Sequence, residues 1–462
     1  MCGIVGVYGH PEAAKITYLG LHALQHRGQD GAKIASFNEK RFYKEGGLGL
    51  VSEVFNKERL KRLKGFMAIG HTRYSTVRDK NVSEQDLILN LQPLVREFKY
   101  HPKIKKEIAI VHNGQLTNYL KLKDELEDPP RGAIFSSSSD TEVLIHLIAR
   151  CEEENIIQRI LKGLTPVKGS YSLLFMTTKK IIGVRDPLGF RPLVLGRLSN
   201  GGYILASESC AFNLVEGKFV REIEPGEMIV IDKKETLRTF KLKSPYIEEG
   251  KHSQCVFELI YFARPDSVIF NRQVYSTRKR MGQILAKEYP IDADMVVPVP
   301  DSGFSASIGY SIESKIPLEL GLMRSHYIGR TFIEPTQSIR HFGVKLKLSS
   351  IAEVLKGKSI VLVDDSIVRS TTITKIIQMI RAAGAKEIHV RISSPPITNP
   401  CYFGIDIPTK RELVASKHSV EEIRKSIGAD TLAYLSLDGL KKAVEDDNSF
   451  CYACFTGEYP IR

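Results

Sequence analysis

Two adjacent carboxylates, Asp364 and Asp365, stand where an uninterrupted apolar run (residues 360–363, IVLV) gives way to small and hydroxyl residues, Ser366, Ser370, Thr371 and Thr372. The run fits a strand buried on both faces of a parallel sheet, and the apolar-periodic stretch 373–383 fits a helix. A strand, a small-residue turn and a helix N-terminus aim backbone N–H groups and a helix dipole at one point, which makes an anion site. Adjacent acids would repel a bare phosphate. They suit a ligand with a phosphate at one end and hydroxyls or Mg²⁺ at the other, and a ribose 5-phosphate carries both. From this stretch alone, an ordinary strand–loop–helix with polar loop residues reads the same way.

Other residues have types that could do chemistry. Cys2 follows the initiator Met directly, and a residue as small as Cys permits removal of that Met, leaving a thiol and an α-amine on one residue. An α-amine titrates near ~8, low enough to act as general base for its own side chain, although composition alone gives a Cys at position 2 no such meaning. MVVPVPDSG (295–303) is a second buried strand ending in an acid and a small-residue loop, which a plain turn would also explain. GRTFIEPTQSIRHFGVKLKL (329–348) mixes cations, Gly and Pro with little periodicity, as a solvated basic loop would. Of seven cysteines, four stand out: Cys255, Cys401, Cys451 and Cys454. Only the last two have C-x-x-C spacing, for which zinc is the default. Cys151, on an apolar-periodic helix, and Cys210 read as core.

The elements that must position these residues can be read coarsely. A chain of 462 residues should hold two or more domains, each with an adequate core. Short alternating strands (109–111, 171–177, 181–184, 203–207) mix with helices such as 141–150, which fits sheets sandwiched between helices. Residues 224–227 (EPGE) followed by MIVID read as a turn and closing strand. The polar stretch 233–253 reads as a linker, ending a first domain near residue 240. Residues 387–392 read as a further strand.

Net charge is +13. That invites nucleic acid as a partner, but the basic residues are spread rather than clustered in tails, and a polyanionic substrate explains the charge as well. The absence of a transmembrane stretch or a signal-like N-terminus predicts a cytoplasmic protein with no membrane partner. In that compartment the cysteines point to metal or catalysis rather than to disulfides.

Residues 360–372 resemble the phosphoribosyl diphosphate (PRPP) signature of type I phosphoribosyltransferases, and within them the glutamine PRPP amidotransferases. The opening MCGIVGVYG resembles the first strand of class II glutamine amidotransferases, the N-terminal nucleophile hydrolases. The likeness continues through LQHRGQDGA (24–32), GHTRYST (70–76), HNGQLTN (112–118), SSSSDTE (136–142), RDPLGFRPL (185–193) and FELIYFARPDSVI (257–269). It covers about residues 2–460.

The resemblance implies roles. Cys2 is the nucleophile, with Asn113 and the Gly114 N–H as donors to the oxyanion. Arg73 takes the carboxylate of glutamine through a bidentate fork, and Asp140 its ammonium. Asp364 and Asp365 hold the ribose hydroxyls and Mg²⁺, and Ser366, Arg369, Ser370, Thr371 and Thr372 belong to the loop around the 5-phosphate. Asp301, Ser302 and Gly303 form the pyrophosphate loop, with Ser302 near Mg²⁺. Arg330, Lys345 and Lys347 sit on a flexible loop that closes over PRPP and face its diphosphate. Cys255, Cys401, Cys451 and Cys454 match the branch that binds a [4Fe–4S] cluster. Two departures stand out. The family places Gly where Ser370 stands, so a positive φ is harder to reach here. It also often has an Arg pair at 345–346 and Asn at 349.

The resulting expectation is an α/β and α+β enzyme. Residues 2–240 form a four-layer αββα glutaminase domain. Residues 250–462 form a type I phosphoribosyltransferase domain on a parallel sheet, with a cluster-bearing C-terminal extension. Glutamine and PRPP are the expected substrates, purine nucleotides the feedback inhibitors, and a dimer or tetramer the assembly. Two alternatives are a different Cys2 amidotransferase, such as a glucosamine-6-phosphate synthase or asparagine synthetase, and a non-enzymatic regulator of phosphoribosyltransferase fold that binds nucleic acid. The first has no need of the 360–372 motif. The second has no need of Cys2, Arg73, Asn113 and Asp140.

Overall fold

The computed structural model describes residues 1–74, 83–101, 104–130, 132–233, 237–325, 348–407 and 409–461. The first half contains two antiparallel sheets lying face to face. One has seven strands in the order Lys218–Glu222, Val194–Arg197, Tyr203–Ala206, Gly3–Tyr8, Met67–Arg73, Gly31–Phe37, Phe42–Leu48. The other has six, in the order Arg238–Lys241, Glu227–Asp232, Lys180–Arg185, Gly169–Met176, Ile104–Leu116, Leu94–His101. Ile4, Ile69, Val111, Leu174 and Leu205 fill the space between the sheets. The opening strand is buried along its whole length because it lies mid-sheet with side chains packed on both faces.

Helices close the two outer faces. The helix Ala13–Ala23 buries Ala13, Ile16, Gly20 and Leu21, in one core with the outer face of the seven-stranded sheet. The helices Asp140–Arg150 and Ile156–Leu164 share the core of the six-stranded sheet. Asp140–Arg150 starts at residue 140 because Ser139 accepts the Thr141 N–H and two acids, Asp140 and Glu142, occupy its first turn, where the helix dipole favours them. These are the four expected layers.

The second half is built on four parallel strands in the order Met295–Pro298, Ser359–Asp364, Glu387–Ile392, Thr431–Tyr434. Val361 and Val363 share one core with the helices Val274–Glu288 and Phe304–Ser314. Ile360 and Leu362 share the opposite core with Thr371–Ala382 and Val420–Ile427. All four residues of the IVLV run have no exposed surface, as a doubly covered parallel strand requires. Among the described residues no helix is long and apolar enough to cross a membrane.

Two sequence readings need correction. The supposed linker contains the strand Arg238–Lys241, which pairs with Glu227–Asp232 as the edge of the six-stranded sheet. Leu242 is buried against the same core. Cys151 is not core: it lies one residue past the helix Asp140–Arg150, half-buried, and its thiol donates to the Leu147 carbonyl at 3.3 Å. Cys210 is buried beneath the helix Ala13–Ala23, as expected.

Candidate active sites

Cys2 stands at the mouth of the central strand Gly3–Tyr8, whose first residue pairs with Thr72. Asn113 and Gly114 come from Ile104–Leu116 in the facing sheet, so the sandwich itself brings thiol and candidate donors together. The Cys2 N–H donates to Asn113 Oδ1 at 3.3 Å, and the thiol lies 3.9 Å from the Tyr74 carbonyl. Asn113 is fully buried and its Nδ2 has no partner. Gly114 has φ +154°, and a Cβ there would fall 2.1 Å from the Ser170 carbonyl oxygen, so only glycine fits.

Cys2, Arg73, Gly114 and Asp140 line one cavity of about 370 Å³. Arg73 ends its strand and donates to the Leu87 carbonyl at 2.9 Å. Burial draws its pKa down, against the pull of Cys2 and Asp30. Asp140 accepts the Leu116 N–H at 2.9 Å and lies 3.6 Å from His112 Nδ1. Burial would raise its pKa, but His112 and the hydrogen bonds outweigh burial and hold it low, so it stays ionised. A cation, an anion and a thiol on one cavity are what a zwitterionic amide substrate needs. His71, on the same wall, is pushed down to about 3 by burial and by Arg73, and is therefore neutral. Met1 is buried, and burial chiefly lowers the pKa of its amine to about 5. Gly404, from the second half, completes the cavity wall.

The second site lies at the carboxyl ends of the neighbouring strands Met295–Pro298 and Ser359–Asp364, where open α/β sheets bind ligands. Asp364 and Asp365 are both buried. Asp364 Oδ1 accepts from Ser302 Oγ at 3.2 Å and from the Asp365 N–H at 2.9 Å. Ser366 donates to Asp365 Oδ2 at 2.5 Å. Burial, then the neighbouring Asp365, pushes Asp364 well above the usual carboxylate range. Gly303 is required where its turn packs against the end of the strand Ser359–Asp364, because a Cβ would lie 2.4 Å from the Val363 carbonyl oxygen.

Ser370 adopts φ +59° despite its side chain and caps the helix Thr371–Ala382, two residues earlier than the apolar period indicated. Its carbonyl takes the Thr374 N–H at 3.0 Å and hydroxyl at 2.9 Å. The exposed Thr371 and Thr372 occupy the first helical turn. Two of the expected ligand residues are engaged in ion pairs in this structure. Asp301 is exposed and ion-paired with Arg324, and Arg369 pairs with Glu412 at 3.1 Å on the surface. Arg330, Lys345 and Lys347 lie outside the described residues.

Cys255, Cys401, Cys451 and Cys454 line a single apolar pocket with Phe190, Phe257 and Phe403. Two-residue parallel strands, Gln254–Cys255 and Phe450–Cys451, set Cys255 directly beside Cys451. The Thr398 and Asn399 N–H groups both bond the Cys454 carbonyl at 3.0 Å, which ties the C-terminal segment to the chain before Cys401. Burial raises the thiol pKa of Cys255 to about 11 and that of Cys454 well above its ordinary value, with the neighbouring cysteines adding to it.

One constellation escaped the sequence reading. Arg27, Arg191, Glu208 and Glu258 have no side-chain exposure and form a buried ion network between the halves, which His26 joins at Glu208. Arg27 lies in LQHRGQDGA and Glu258 in FELIYFARPDSVI, motifs noted above without a role for either residue. The available signal was a lone acid in the apolar run VFELI. His112, also missed, is held by Asp140, by Thr141 Oγ1 at 3.1 Å and by the Ser170 carbonyl at 3.2 Å.

Comparison with known proteins agrees with this two-site architecture. Residues 81–213 match the glutamine amidotransferase domain family, and residues 272–393 the phosphoribosyl transferase domain family. Chloroplastic amidophosphoribosyltransferase of Glycine max is 49% identical over 100% of this chain and 78% of its own length. Amidophosphoribosyltransferase of Bacillus subtilis (strain 168) is 47% identical over 100% of this chain and 94% of its own. Among solved structures, the glutamine PRPP amidotransferase from B. subtilis complexed with ADP and GMP superimposes with a TM-score of 0.90 at 46% identity, covering 100% of this chain and 98% of that one. With relatives this similar along its entire length, the chain belongs to the amidophosphoribosyltransferase family.

Proposed function

We propose that the chain forms 5-phosphoribosylamine, glutamate and pyrophosphate from PRPP, L-glutamine and water, the first step of purine synthesis, with the residues assigned as follows. Arg73 and Asp140 hold the two charges of glutamine. The Cys2 thiol attacks the side-chain amide, and an α-amine freed at Cys2 takes the thiol proton. An α-amine titrates near ~8, low enough to act as that base. Asn113 Nδ2 and the Gly114 N–H steady the oxyanion. The proton returns to the departing ammonia, water hydrolyses the thioester, and ammonia passes inside the protein to C1 of PRPP, where pyrophosphate leaves.

The observation that carries this reading is the buried, unpartnered Nδ2 of Asn113, on the side chain whose Oδ1 holds the Cys2 N–H. A buried donor left unmade costs about 1–3 kcal/mol, and a developing oxyanion supplies its missing acceptor. The test is an assay for PRPP-dependent glutamine hydrolysis and for phosphoribosylamine. Glutamine or ammonia should serve as nitrogen donor for the wild type, and a chain that uses neither with PRPP refutes the assignment.

Asp364, Asp365 and Ser302 would hold Mg²⁺. Two buried, adjacent carboxylates with a hydroxyl on one of them are a hard-oxygen set whose negative charge suits such an ion. When bound, Mg²⁺ neutralises charge on the diphosphate. The four pocket cysteines would hold a [4Fe–4S] cluster with a structural role, since metal binding relieves the mutual cost of buried thiolates. Purine nucleotides as feedback inhibitors are supported by the B. subtilis relative, whose structure is a complex with ADP and GMP.

A further inference from the structure

Arg27 closes the short turn Gln25–Arg27 that follows the helix Ala13–Ala23. It is entirely buried, and its planar fork is shared between the two halves of the chain. Nε donates to the Cys2 carbonyl at 3.1 Å. Nη2 reaches Glu258 Oε1 at 2.8 Å, while Nη1 donates to Glu258 Oε2 at 3.1 Å and to Glu208 Oε1 at 2.5 Å. Five donors in a fixed plane allow this division, and a lysine could not reproduce it.

The main chain of Cys2 is thereby held at both ends. Asn113 Oδ1 takes its N–H and Arg27 its carbonyl, and Thr72 Oγ1 accepts the next N–H, from Gly3, at 3.1 Å. The thiol itself lies 3.9 Å from the Tyr74 carbonyl. Glu258, which fixes Arg27, belongs to the second half and opens a single π-helical turn, Glu258–Phe262, a local geometry common where function constrains a helix. Arg191 holds Glu258 from the other side at 3.4 Å and also bonds the Phe403 carbonyl.

Two buried cations facing two buried carboxylates add little net stability over apolar packing of the same volume. They do fix geometry tightly. Placement is what a nucleophile needs, since a displacement of about 1 Å can cost about 100-fold in rate. We propose that Arg27 and Glu258 are positioning residues for the Cys2 nucleophile, with Glu258 supplied by the half of the chain that carries the phosphoribosyl site. The inference rests on the glutaminase role of Cys2 set out above.

The test uses full-length Glu258→Gln and Arg27→Lys, each assayed with glutamine and with ammonia in the same preparation. The ratio of the two kcat values reads only folded molecules, so a low folding yield does not obscure it. Both variants should lower the glutamine-to-ammonia ratio by about 10- to 100-fold. The KM for glutamine should stay near wild type, because Arg73 and Asp140 are untouched. A purely structural role would lower both activities together and leave the ratio unchanged, which overturns the proposal. A ratio lost through KM alone overturns it as well. A wild-type chain without glutamine-dependent synthesis is a separate result and refutes the proposed function itself.

Discussion

Asn113 and Cys2 meet through one side-chain oxygen: Oδ1 of Asn113 accepts the Cys2 N–H at 3.3 Å, and Nδ2 of the same amide is buried with nothing to bond. Asn113→Ala should therefore lower glutamine-dependent kcat by about 100- to 1000-fold, as loss of an oxyanion donor does. Cys2→Ala should abolish it. In both variants synthesis from supplied ammonia should persist, measured as phosphoribosylamine formed at saturating PRPP. Loss of both activities in a folded protein contradicts the division of labour between the two sites.

The cysteine pocket predicts a metal content. Anaerobically purified protein should be brown, with iron and acid-labile sulfide in near-equal amounts. Cys454→Ser should hinder folding, because metal binding contributes directly to folding free energy at such sites. Stoichiometric zinc in place of iron would refute the cluster.

Gly404 of the second half forms part of the wall of the cavity that holds Cys2, and Tyr74 Oη donates to Asp406 at 3.1 Å. Occupancy of one site should therefore be felt at the other. PRPP with Mg²⁺ should lower the apparent KM for glutamine and raise glutaminase turnover, and Lys347→Ala should weaken that response. Couplings of this kind amount to about 1–3 kcal/mol, or about 5- to 150-fold in affinity. A glutaminase rate that is already fast and indifferent to PRPP argues against it.

Ser370 reaches φ +59° without being glycine. Left-handed backbone costs a residue with a Cβ roughly 1–2 kcal/mol, and glycine gives back about 0.5–1 kcal/mol as chain entropy. Ser370→Gly should therefore leave the stability almost unchanged or raise it slightly, read as the midpoint of chemical denaturation. Its KM for PRPP should stay near wild type, since a loop of this kind holds phosphate through backbone N–H groups. A large loss of PRPP affinity would show that the Ser370 hydroxyl itself binds.

Glu208 sets an acid limit. Burial alone would raise its pKa, but His26 and Arg27 outweigh burial and hold it far below the ordinary value of 4.5. A depressed carboxylate contributes stability that is present above its unfolded pKa and lost as pH falls toward the folded one. Stability should fall steeply below about pH 4.5 for that reason. Glu208→Gln should cost about 3–5 kcal/mol at pH 7, by leaving buried positive charge short of a partner, and should flatten the acid dependence. Urea denaturation from pH 7 to pH 3 measures both effects.

The parts of this molecule legible in the sequence are those written locally. Residues 360–363 announce a doubly buried strand, and Glu387–Ile392 has the bounds that its pattern indicates. Cys2, Arg73, Gly114 and Asp140, read from separate motifs, line one cavity. Arg238–Lys241 was hidden because an exposed edge strand, with RTFK as its sequence, carries no apolar alternation. Arg27 and Glu258 were hidden because a buried ion pair between residues 231 positions apart leaves one letter in each of two motifs that carry other charges too. Ser370 shows the limit of residue propensity, since contacts around the loop decide its backbone where the side chain alone would argue against it.

The side-by-side placement of Cys255 and Cys451 has a consequence for the order of events during synthesis. These two partners are the first and third cysteines of the pocket set, and about 200 residues of chain separate them. At about 5–20 residues per second, the ribosome needs roughly 10–40 s to travel that far. Over that interval Cys255 waits for the residue that lies beside it, while the glutaminase layers upstream are free to fold. The pocket closes only when the C-terminal segment arrives, so a nascent chain stalled before Cys451 carries a formed first half and an exposed thiol.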